Sequence, residues 1–217
     1  MCGNVSAMYA ALRKIKEKAT NVAPLRNFLD DRIIQRELRK GEYAPIRPHP
    51  RILDFGAHKG YASGWFAAQF PGVEIHSYEP NPALFSTLKR RMRKYPHVKV
   101  FNEAVAATEG WADLHVSSRN WSSSLCDIGN SENVRVKMTT LKCATDRLGG
   151  DDILLKIDIE GAEFDVLKDV PSAITEIVGE VHPEKAGRDV EELRANLQVG
   201  FALVMVPSRK GIFRACR

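Results

Sequence analysis

A short glycine-containing turn, residues 54–61, is the first place in the chain that could bind a ligand. It reads Asp-Phe-Gly-Ala-His-Lys-Gly-Tyr and follows a short apolar run. Gly56 allows a sharp backbone turn, and Gly60 opens the next predicted helix, whose free N–H groups can bind electronegative groups. His58 stands where a dinucleotide-binding turn has its middle glycine. Because the carboxylate of Asp54 would also repel a pyrophosphate, the turn argues against a nicotinamide dinucleotide.

A second carboxylate, Glu79, follows the next predicted strand. An acidic residue at this point typically accepts hydrogen bonds from the hydroxyls of a bound ribose. Asp54 could bind an ammonium group. A ligand with an amino-acid end and a ribose, but no phosphate, would suit this pair, and S-adenosylmethionine has that shape. The alternative for Glu79 is a carboxylate that only stabilises the start of the following helix.

The predicted cofactor site lies at the carboxyl ends of parallel strands, where open α/β sheets bind ligands. Polar residues after the third strand could reach an adenine edge, or could simply end the strand. The predicted cofactor-binding residues are Asp54, Gly56, Ala57, His58, Gly60, Tyr61, Glu79, Pro80, Asn81, Asn102, Glu103, Ala104 and Asp158.

Carboxylates and one histidine follow two later apolar runs and could carry acid–base chemistry. Asp158 ends one run and Glu160 begins the next predicted helix, so these two side chains are not expected to face the same way. His182 is a candidate general base because the ordinary pKa of histidine lies near working pH; the alternative is a structural histidine. We predict Asp158, His182 and Glu180 as the catalytic set, with Glu180 orienting His182 from the same side of the strand. For Glu163, a functional role and stabilisation of the helix start both stay open.

No metal site is predicted, because the sequence has no dedicated ligand spacing. The carboxylates around Asp158 could nevertheless hold Mg²⁺.

The elements that would position these residues alternate between strand and helix after residue 51. Strands are predicted at 52–55, 74–78, 98–105, 112–116, 134–138, 153–157, 177–181, 202–206 and 212–215, and helices at 61–70, 82–95, 160–170 and 189–199. The order strand, helix, strand implies right-handed crossovers and a parallel sheet. The last two strands predict a terminal hairpin, so that one strand of the sheet is antiparallel.

The N-terminal part of the chain differs in charge from the rest. The chain has a net charge of +5, and residues 1–51 hold eleven Lys and Arg against five Asp and Glu. Helices at 5–20 and 25–40 and a Pro-rich linker at 41–50 are predicted there. A second basic cluster lies at residues 89–94. Such surfaces could bind nucleic acid, acidic lipid or an acidic substrate, or could be solvated helix faces.

Taken together, these residues resemble the FkbM-type family of S-adenosylmethionine-dependent methyltransferases. The resemblance covers residues 51–182 and runs through DFGAHKGY, YEPNPALFSTL, NEAVA, SSSL, VKMTTL and LLKIDIEGAEFDVLK. The chain departs from the usual pattern of the family at three places. The family usually has Asn at the position of His58, an aliphatic residue at Lys59 and Asp at Lys142.

The resemblance implies a Rossmann-like class I methyltransferase fold. This is a seven-stranded, mostly parallel sheet with an antiparallel last strand and helices on both faces. It also implies transfer of a methyl group from S-adenosylmethionine to a hydroxyl on a sugar, glycoconjugate or natural product. We therefore predict a methyltransferase domain at 51–217, preceded by a basic helical extension and linker at 1–50.

Several alternatives stay open. The acceptor is expected to be a small molecule or glycan, but methylation of RNA through the basic N-terminal segment and cofactor binding without catalysis are also compatible with the sequence. The polar loop 117–133, with Trp121, could cover the acceptor or be a flexible insertion. No stretch approaches the roughly 18 apolar residues of a membrane span. Four scattered cysteines suggest reduced thiols, and a cytoplasmic location is expected. The oligomeric state is open.

Overall fold

The computed structural model describes residues 41–117, 123–125, 131–197, 200–206 and 211–217, together with Gln35 and Leu38. Met1–Glu42 and Tyr43–Arg217 form two compact units, and all elements named below belong to the second. The predicted helices at 5–20 and 25–40 lie outside the described residues, apart from Gln35 and Leu38, which are helical.

The second unit alternates strands and helices over its first part and its last part. In chain order the elements are Arg51–Phe55 (β1), Tyr61–Gln69 (α1), Glu74–Tyr78 (β2), Pro82–Met92 (α2), Val98–Phe101 (β3), Ala104–Val105 (β4), Gly110–Ser117 (β5), Ser123–Ser124 (β6), Ser131–Thr139 (β7), Leu141–Leu148 (α3), Ile153–Ile157 (β8), Glu163–Val166 (α4), Ile174–Glu180 (β9), Pro183–Ala186 (α5), Val190–Leu197 (α6), Ala202–Met205 (β10) and Ile212–Cys216 (β11).

Seven strands form the central sheet in the order β10-β11-β9-β8-β1-β2-β3. β1 is parallel to both β2 and β8, β2 is parallel to β3, and β8 is parallel to β9. β11 runs antiparallel to its neighbours β9 and β10. The predicted mostly parallel sheet with an antiparallel last strand is therefore confirmed.

Both faces of this sheet are covered. All five residues of β8 are buried, as are four of the five residues in both β1 and β2. Strands buried on both faces are typical of parallel sheets with helices on each side, and their apolar runs made them readable from the sequence. No helix among the described residues is long and apolar enough to cross a membrane.

A smaller four-stranded sheet, in the order β4-β7-β5-β6, was not predicted. The strand predicted at 98–105 is divided by Asn102 and Glu103, so that β3 stays in the central sheet while β4 pairs with β7. β5 and β7 are antiparallel and extend the strands predicted at 112–116 and 134–138. β6 lies within the predicted loop 117–133, and Trp121 of that loop lies outside the described residues.

Two helices are shorter than predicted by three residues or more. α2 begins at Pro82, capped by the Asn81 side chain that accepts the Ala83 N–H, but it ends at Met92 instead of residue 95. The helix predicted at 160–170 is reduced to α4, because Glu160 and Gly161 have left-handed backbones with φ of 62° and 116°. Residues with these angles cannot belong to a right-handed helix.

Residues 43–50 pack with the central sheet, although the sequence predicts a linker there. The Ile46 N–H donates to Glu176 Oε1 at 2.8 Å. The ring of His49 lies between Glu176 Oε2, 2.8 Å from Nε2, and Asp152 Oδ1, 3.2 Å from Nδ1. These contacts attach the segment to β9 and to the residue before β8, within the compact unit that begins at Tyr43.

Candidate active site

The turn between β1 and α1 is held by backbone hydrogen bonds to the end of β2. The N–H groups of Gly56 and Ala57 both donate to the Tyr78 carbonyl oxygen, at 3.1 and 2.9 Å, and the Gly60 N–H donates to Ala57 O at 2.8 Å. Gly56 has φ of 73°, and a Cβ there would lie 1.8 Å from the carbonyl oxygen of Asp158. A side chain at this position would therefore push the turn away from the strand end.

His58 has a left-handed backbone with φ of 52°. Asn, Asp and His adopt this conformation more readily than other non-glycine residues, which explains how His58 can stand where Asn is usual. Its N–H donates to Glu79 Oε2 at 2.8 Å. Tyr61 begins α1, and its hydroxyl accepts a hydrogen bond from Arg91 Nη2 at 2.8 Å, with the guanidinium 4.0 Å from the ring centre. The turn is thus tied to both β2 and α2.

Glu79 is 4% exposed and sits directly beside this turn. Its Oε2 accepts the N–H of His58, and its Oε1 accepts the N–H of Asn81 at 2.9 Å. Burial raises the pKa of Glu79 to about 7, although these two hydrogen bonds act in the opposite direction. Asn102 Nδ2 donates to the carbonyl oxygens of Glu79 and Pro80, both at 2.8 Å. Because a carboxylate has about four acceptor sites, each oxygen of Glu79 keeps one for a ligand.

Glu103 and Ala104 have contacts within the protein that the sequence did not predict. Glu103 forms ion pairs with Lys137 Nζ and Arg147 Nη1, both at 2.8 Å. Ala104 is buried in β4 and pairs with Met138 in the smaller sheet. The chain leaves the central sheet at this point, and these two residues hold the departing strand.

Asp54 faces the protein interior, although the sequence predicts that it binds a ligand ammonium. Its side chain is fully buried, its Oδ2 accepts the Ser63 hydroxyl at 2.6 Å, and Lys156 Nζ lies 3.2 Å from its Oδ1. Lys156 also donates to the carbonyl oxygens of Phe55 and Gly56, at 3.0 and 2.9 Å. The ammonium beside Asp54 is therefore that of a lysine in β8. The sequence feature that could have revealed this contact is a lysine inside an otherwise apolar run.

Asp158, Glu160 and His182 come together at the ends of β8 and β9. One donor atom from each of the three lies within 4.8 Å of the others. His182 Nε2 is 3.9 Å from Asp158 Oδ1 and 3.3 Å from Glu160 Oε2. The expectation that Asp158 and Glu160 face different ways is wrong, because Glu160 has a left-handed backbone and does not begin a helix.

The carboxylate that holds the other side of the His182 ring belongs to Glu163. Glu163 is fully buried, and its Oε1 lies 3.1 Å from His182 Nδ1. The same carboxylate accepts the N–H groups of Ile159 and Gly161, both at 3.0 Å. The sequence assigned this orienting role to Glu180. Glu180 is the last residue of β9, so the strand alternation on which its role was predicted does not extend to His182, and that role stays a prediction.

This group of charges changes two pKa values. Burial alone would lower the pKa of His182, but the hydrogen bond to Glu163 and the charges of Glu160 and Asp158 raise it to about 9. The imidazole therefore carries a proton at neutral pH, whereas the sequence predicted a pKa near working pH. Burial raises the pKa of Glu160, and the ammonium of Lys185 lies against its carboxylate.

Two further residues reach this group, one from the predicted linker and one from the loop 117–133 that could cover the acceptor. The Tyr43 hydroxyl donates to Asp158 Oδ2 at 3.2 Å, and its ring centre lies 5.4 Å from Lys156 Nζ. The Ser124 hydroxyl in β6 donates to the Glu160 carbonyl oxygen at 2.7 Å. Tyr43 precedes the residues that carry the family resemblance, so only its folded position reveals it.

The strand ends thus carry two adjoining sets of polar groups. The first consists of the turn 54–61 and Glu79, which can bind a ligand with hydroxyl groups. The second consists of Asp158, Glu160 and His182, which can move a proton or hold a cation. They adjoin because the Asp158 N–H donates to the Phe55 carbonyl oxygen at 3.2 Å.

Comparison with known proteins identifies the family of this chain. The family model of the methyltransferase FkbM domain matches residues 54–203. The chain is 33% identical over 76 residues to a malonyl-[acyl-carrier protein] O-methyltransferase of Halorhodospira halophila, covering 35% of this chain and 24% of that protein. It is 23% identical over 139 residues to the 2-O-methyltransferase NoeI of Sinorhizobium fredii, covering 56% and 57%. The chain thus spans less than two thirds of either relative.

A solved structure shows the same fold at low sequence identity. The fibrillarin–Nop5p complex aligns with a TM-score of 0.53 and 13% identity, over 82% of this chain and 76% of the other. The match at 54–203 includes the turn, Glu79 and the cluster from Asp158 to His182. The chain therefore belongs to the methyltransferase FkbM domain family.

Proposed function

We propose that this chain is an S-adenosylmethionine-dependent O-methyltransferase. The observation that carries the proposal is the Glu79 carboxylate beside the turn 54–61, with one acceptor site left on each oxygen. Two ribose hydroxyls can use these sites. Family membership supports methyl transfer, and both curated relatives are named O-methyltransferases, which favours an oxygen acceptor.

The cofactor would be held by Glu79 and by the polar backbone of the turn. When bound, S-adenosylmethionine supplies a methyl group on a positively charged sulfur. Asp54 and Lys156 are buried next to the turn, and Lys156 donates hydrogen bonds to the carbonyl oxygens of Phe55 and Gly56. Their role is to keep the turn in one conformation, so that ordering it adds little to the free-energy cost of binding.

Asp158 is the proton acceptor that we propose for the acceptor hydroxyl. It lies next to the cofactor turn, its side chain is 27% exposed, and the Tyr43 hydroxyl fixes its Oδ2. Oδ1 faces His182 and is the atom that would take the proton. His182, oriented by Glu163, positions Asp158. The proposed acceptor class is a hydroxyl on a sugar, glycoconjugate or natural product, and the name of the 2-O-methyltransferase relative supports it.

Calorimetric titration with S-adenosylmethionine, its demethylated product and NAD tests the cofactor assignment. We expect micromolar binding of the two sulfur ligands and none of NAD. Glu79→Ala should weaken binding about tenfold, or about 1.4 kcal/mol. Glu109→Ala, at an exposed position, is the matched control and should bind as the wild type does. Binding of NAD, or a Glu79→Ala variant with full affinity, would contradict the proposal.

The raised pKa of Glu79 gives the same test a pH dependence. Ribose hydroxyls donate to the ionised carboxylate, and protonated Glu79 should bind about as weakly as Glu79→Ala. Affinity for the demethylated product should therefore rise about fivefold between pH 6 and 8, around a pKa of about 7. Glu79→Gln should flatten this profile.

The native state holds the Glu79 proton more tightly than the unfolded chain does. The contribution of Glu79 to stability should therefore fall as the pH rises from about 4.5 to about 7.

A second candidate function, methylation of RNA, is favoured by one observation. Lys89, Arg90, Arg93 and Lys94 are exposed on α2 and just after it, and the sequence from 80 to 102 contains no acidic residue. Transfer of radiolabelled methyl groups to a panel of sugars and natural products, and to total RNA, separates the two. Labelled RNA with strongly salt-dependent binding would favour the second candidate. A protein that binds the cofactor but labels neither panel would fit the non-catalytic alternative.

A further inference from the structure

We infer that Asp158, Glu160 and His182 bind a divalent transition-metal ion such as Mn²⁺ or Zn²⁺. Two carboxylates come from the turn after β8 and one imidazole follows β9, and their donor atoms lie within 4.8 Å of one another. A set of carboxylate oxygens and one imidazole nitrogen suits these ions. Mg²⁺ and Ca²⁺ prefer oxygen ligands throughout.

The orientation of His182 is a separate observation that points to metal binding. A histidine that binds a metal through one nitrogen almost always donates the other N–H to a carboxylate or carbonyl group. Here Nδ1 lies 3.1 Å from the fully buried carboxylate of Glu163, which is not one of the three ligands. Glu163 is itself held by the N–H groups of Ile159 and Gly161. Nε2 is therefore the nitrogen directed at the two carboxylates, and it would release its proton to solvent when a metal ion binds.

Burial also distinguishes this group from acidic residues on an open surface. The side chains of Asp158, Glu160 and His182 are only 27%, 23% and 11% exposed. Carboxylates removed from water to this degree require cations close by, and without a metal ion the His182 ring and the Lys185 ammonium fill that place. The ammonium of Lys185 now lies against Glu160, and its flexible, partly exposed side chain can move aside for a metal ion.

Three protein ligands leave coordination positions for a ligand from solution. Metal binding itself does not depend on the proposed function. The role of the ion described next does rest on it. A hydroxyl of the acceptor would bind the ion through its oxygen and lose its proton to water, with the O–H electron pair staying on the oxygen. Asp158 would then hold the ion, and the cation would replace it as the group that activates the hydroxyl.

Metal binding can be measured on the full chain without acceptor or cofactor. The protein is treated with a chelator, desalted and titrated with Mn²⁺, followed by calorimetry and by electron paramagnetic resonance of free Mn²⁺. We expect one ion per chain. Asp158→Asn, Glu160→Gln and His182→Gln should each weaken binding at least tenfold. Asp146→Asn, which alters an exposed carboxylate on α3, should leave binding unchanged.

Lys185→Met separates a metal site from an internal ion-pair network. This variant keeps all three ligands and removes the competing ammonium, so it should bind Mn²⁺ several-fold more tightly. Circular dichroism and thermal unfolding establish that each variant is folded. If a ligand variant does not fold, Lys185→Met still decides the question.

Two results would overturn the inference. One is that neither the wild-type protein nor Lys185→Met binds Mn²⁺ at millimolar concentration. The other is binding that none of the three ligand substitutions weakens, which would identify adventitious surface carboxylates. Neither result depends on whether S-adenosylmethionine binds. Failure of this inference can therefore be told apart from failure of the proposed function.

Discussion

Gly56 and Gly72 both have left-handed backbones, with φ of 73° and 84°, but their surroundings differ. A Cβ on Gly56 would lie 1.8 Å from the Asp158 carbonyl oxygen, whereas no described atom lies within 4 Å of the same position on Gly72. The two glycines therefore separate two effects of a side chain. One is the strain of a positive φ, and the other is a clash between the cofactor turn and the end of β8.

Replacing each glycine by alanine tests this distinction. Gly72→Ala should lower the free energy of unfolding by about 1–2 kcal/mol, from backbone strain alone, and leave binding of the demethylated cofactor unchanged. Gly56→Ala should lower stability further and weaken binding at least tenfold, since the turn must move away from Asp158. Urea unfolding and calorimetry give the two quantities. Equal losses of stability with unaltered binding in both variants would show that the turn tolerates the displacement.

The elements differ in how much of them could be predicted. The strands of the central sheet were predictable because burial on both faces gives continuous apolar runs. The helix α3 was missed because two of the positions that it buries at helical spacing are Ala144 and Thr145, which weaken the apolar pattern. The smaller sheet was missed because it pairs β4 with β7, which follows it only after a long insertion.

The residues of the candidate site also differ in how far they could be predicted. Glu79 and Asp158 were chosen because ligands bind at the carboxyl ends of parallel strands, and their roles stay predictions. Lys156, Glu163 and Tyr43 were not assigned their roles, since each role depends on a partner that only the fold brings near. Asp54 illustrates the consequence. Lys156 and Ser63 contact its buried carboxylate, whereas the sequence predicts a ligand ammonium there.

Lys156 joins two strands, and this element-level link can be tested by a double-mutant cycle. Lys156→Met should lower the free energy of unfolding by about 3–5 kcal/mol, because it leaves the buried Asp54 carboxylate without its cation. Asp54→Asn combined with Lys156→Met should recover part of this loss. Denaturant unfolding measures Lys156→Met, Asp54→Asn and the double variant. Strictly additive effects would mean that the 3.2 Å contact contributes nothing specific.

At the scale of the whole second unit, Glu103 stands where the chain passes from the central sheet to the smaller one. It lies between β3 and β4, and its partners are Lys137 in β7 and Arg147 in α3. The Arg147 guanidinium also lies 4.6 Å from the ring centre of Phe101, at the end of β3. One carboxylate thus connects both sheets and a helix, which accounts for its burial without any ligand.

Glu103→Gln distinguishes this connecting role from the cofactor contact that the sequence predicts. The Lys137 side chain is 52% exposed and that of Arg147 is 32% exposed, so solvent screens both ion pairs. We therefore expect a loss of no more than about 1 kcal/mol in the free energy of unfolding. Affinity for the demethylated cofactor should stay within twofold of the wild type, because the carboxylate is occupied by its two basic partners. A tenfold loss of affinity with unchanged stability would instead place Glu103 at the adenine edge and make the ion pairs secondary.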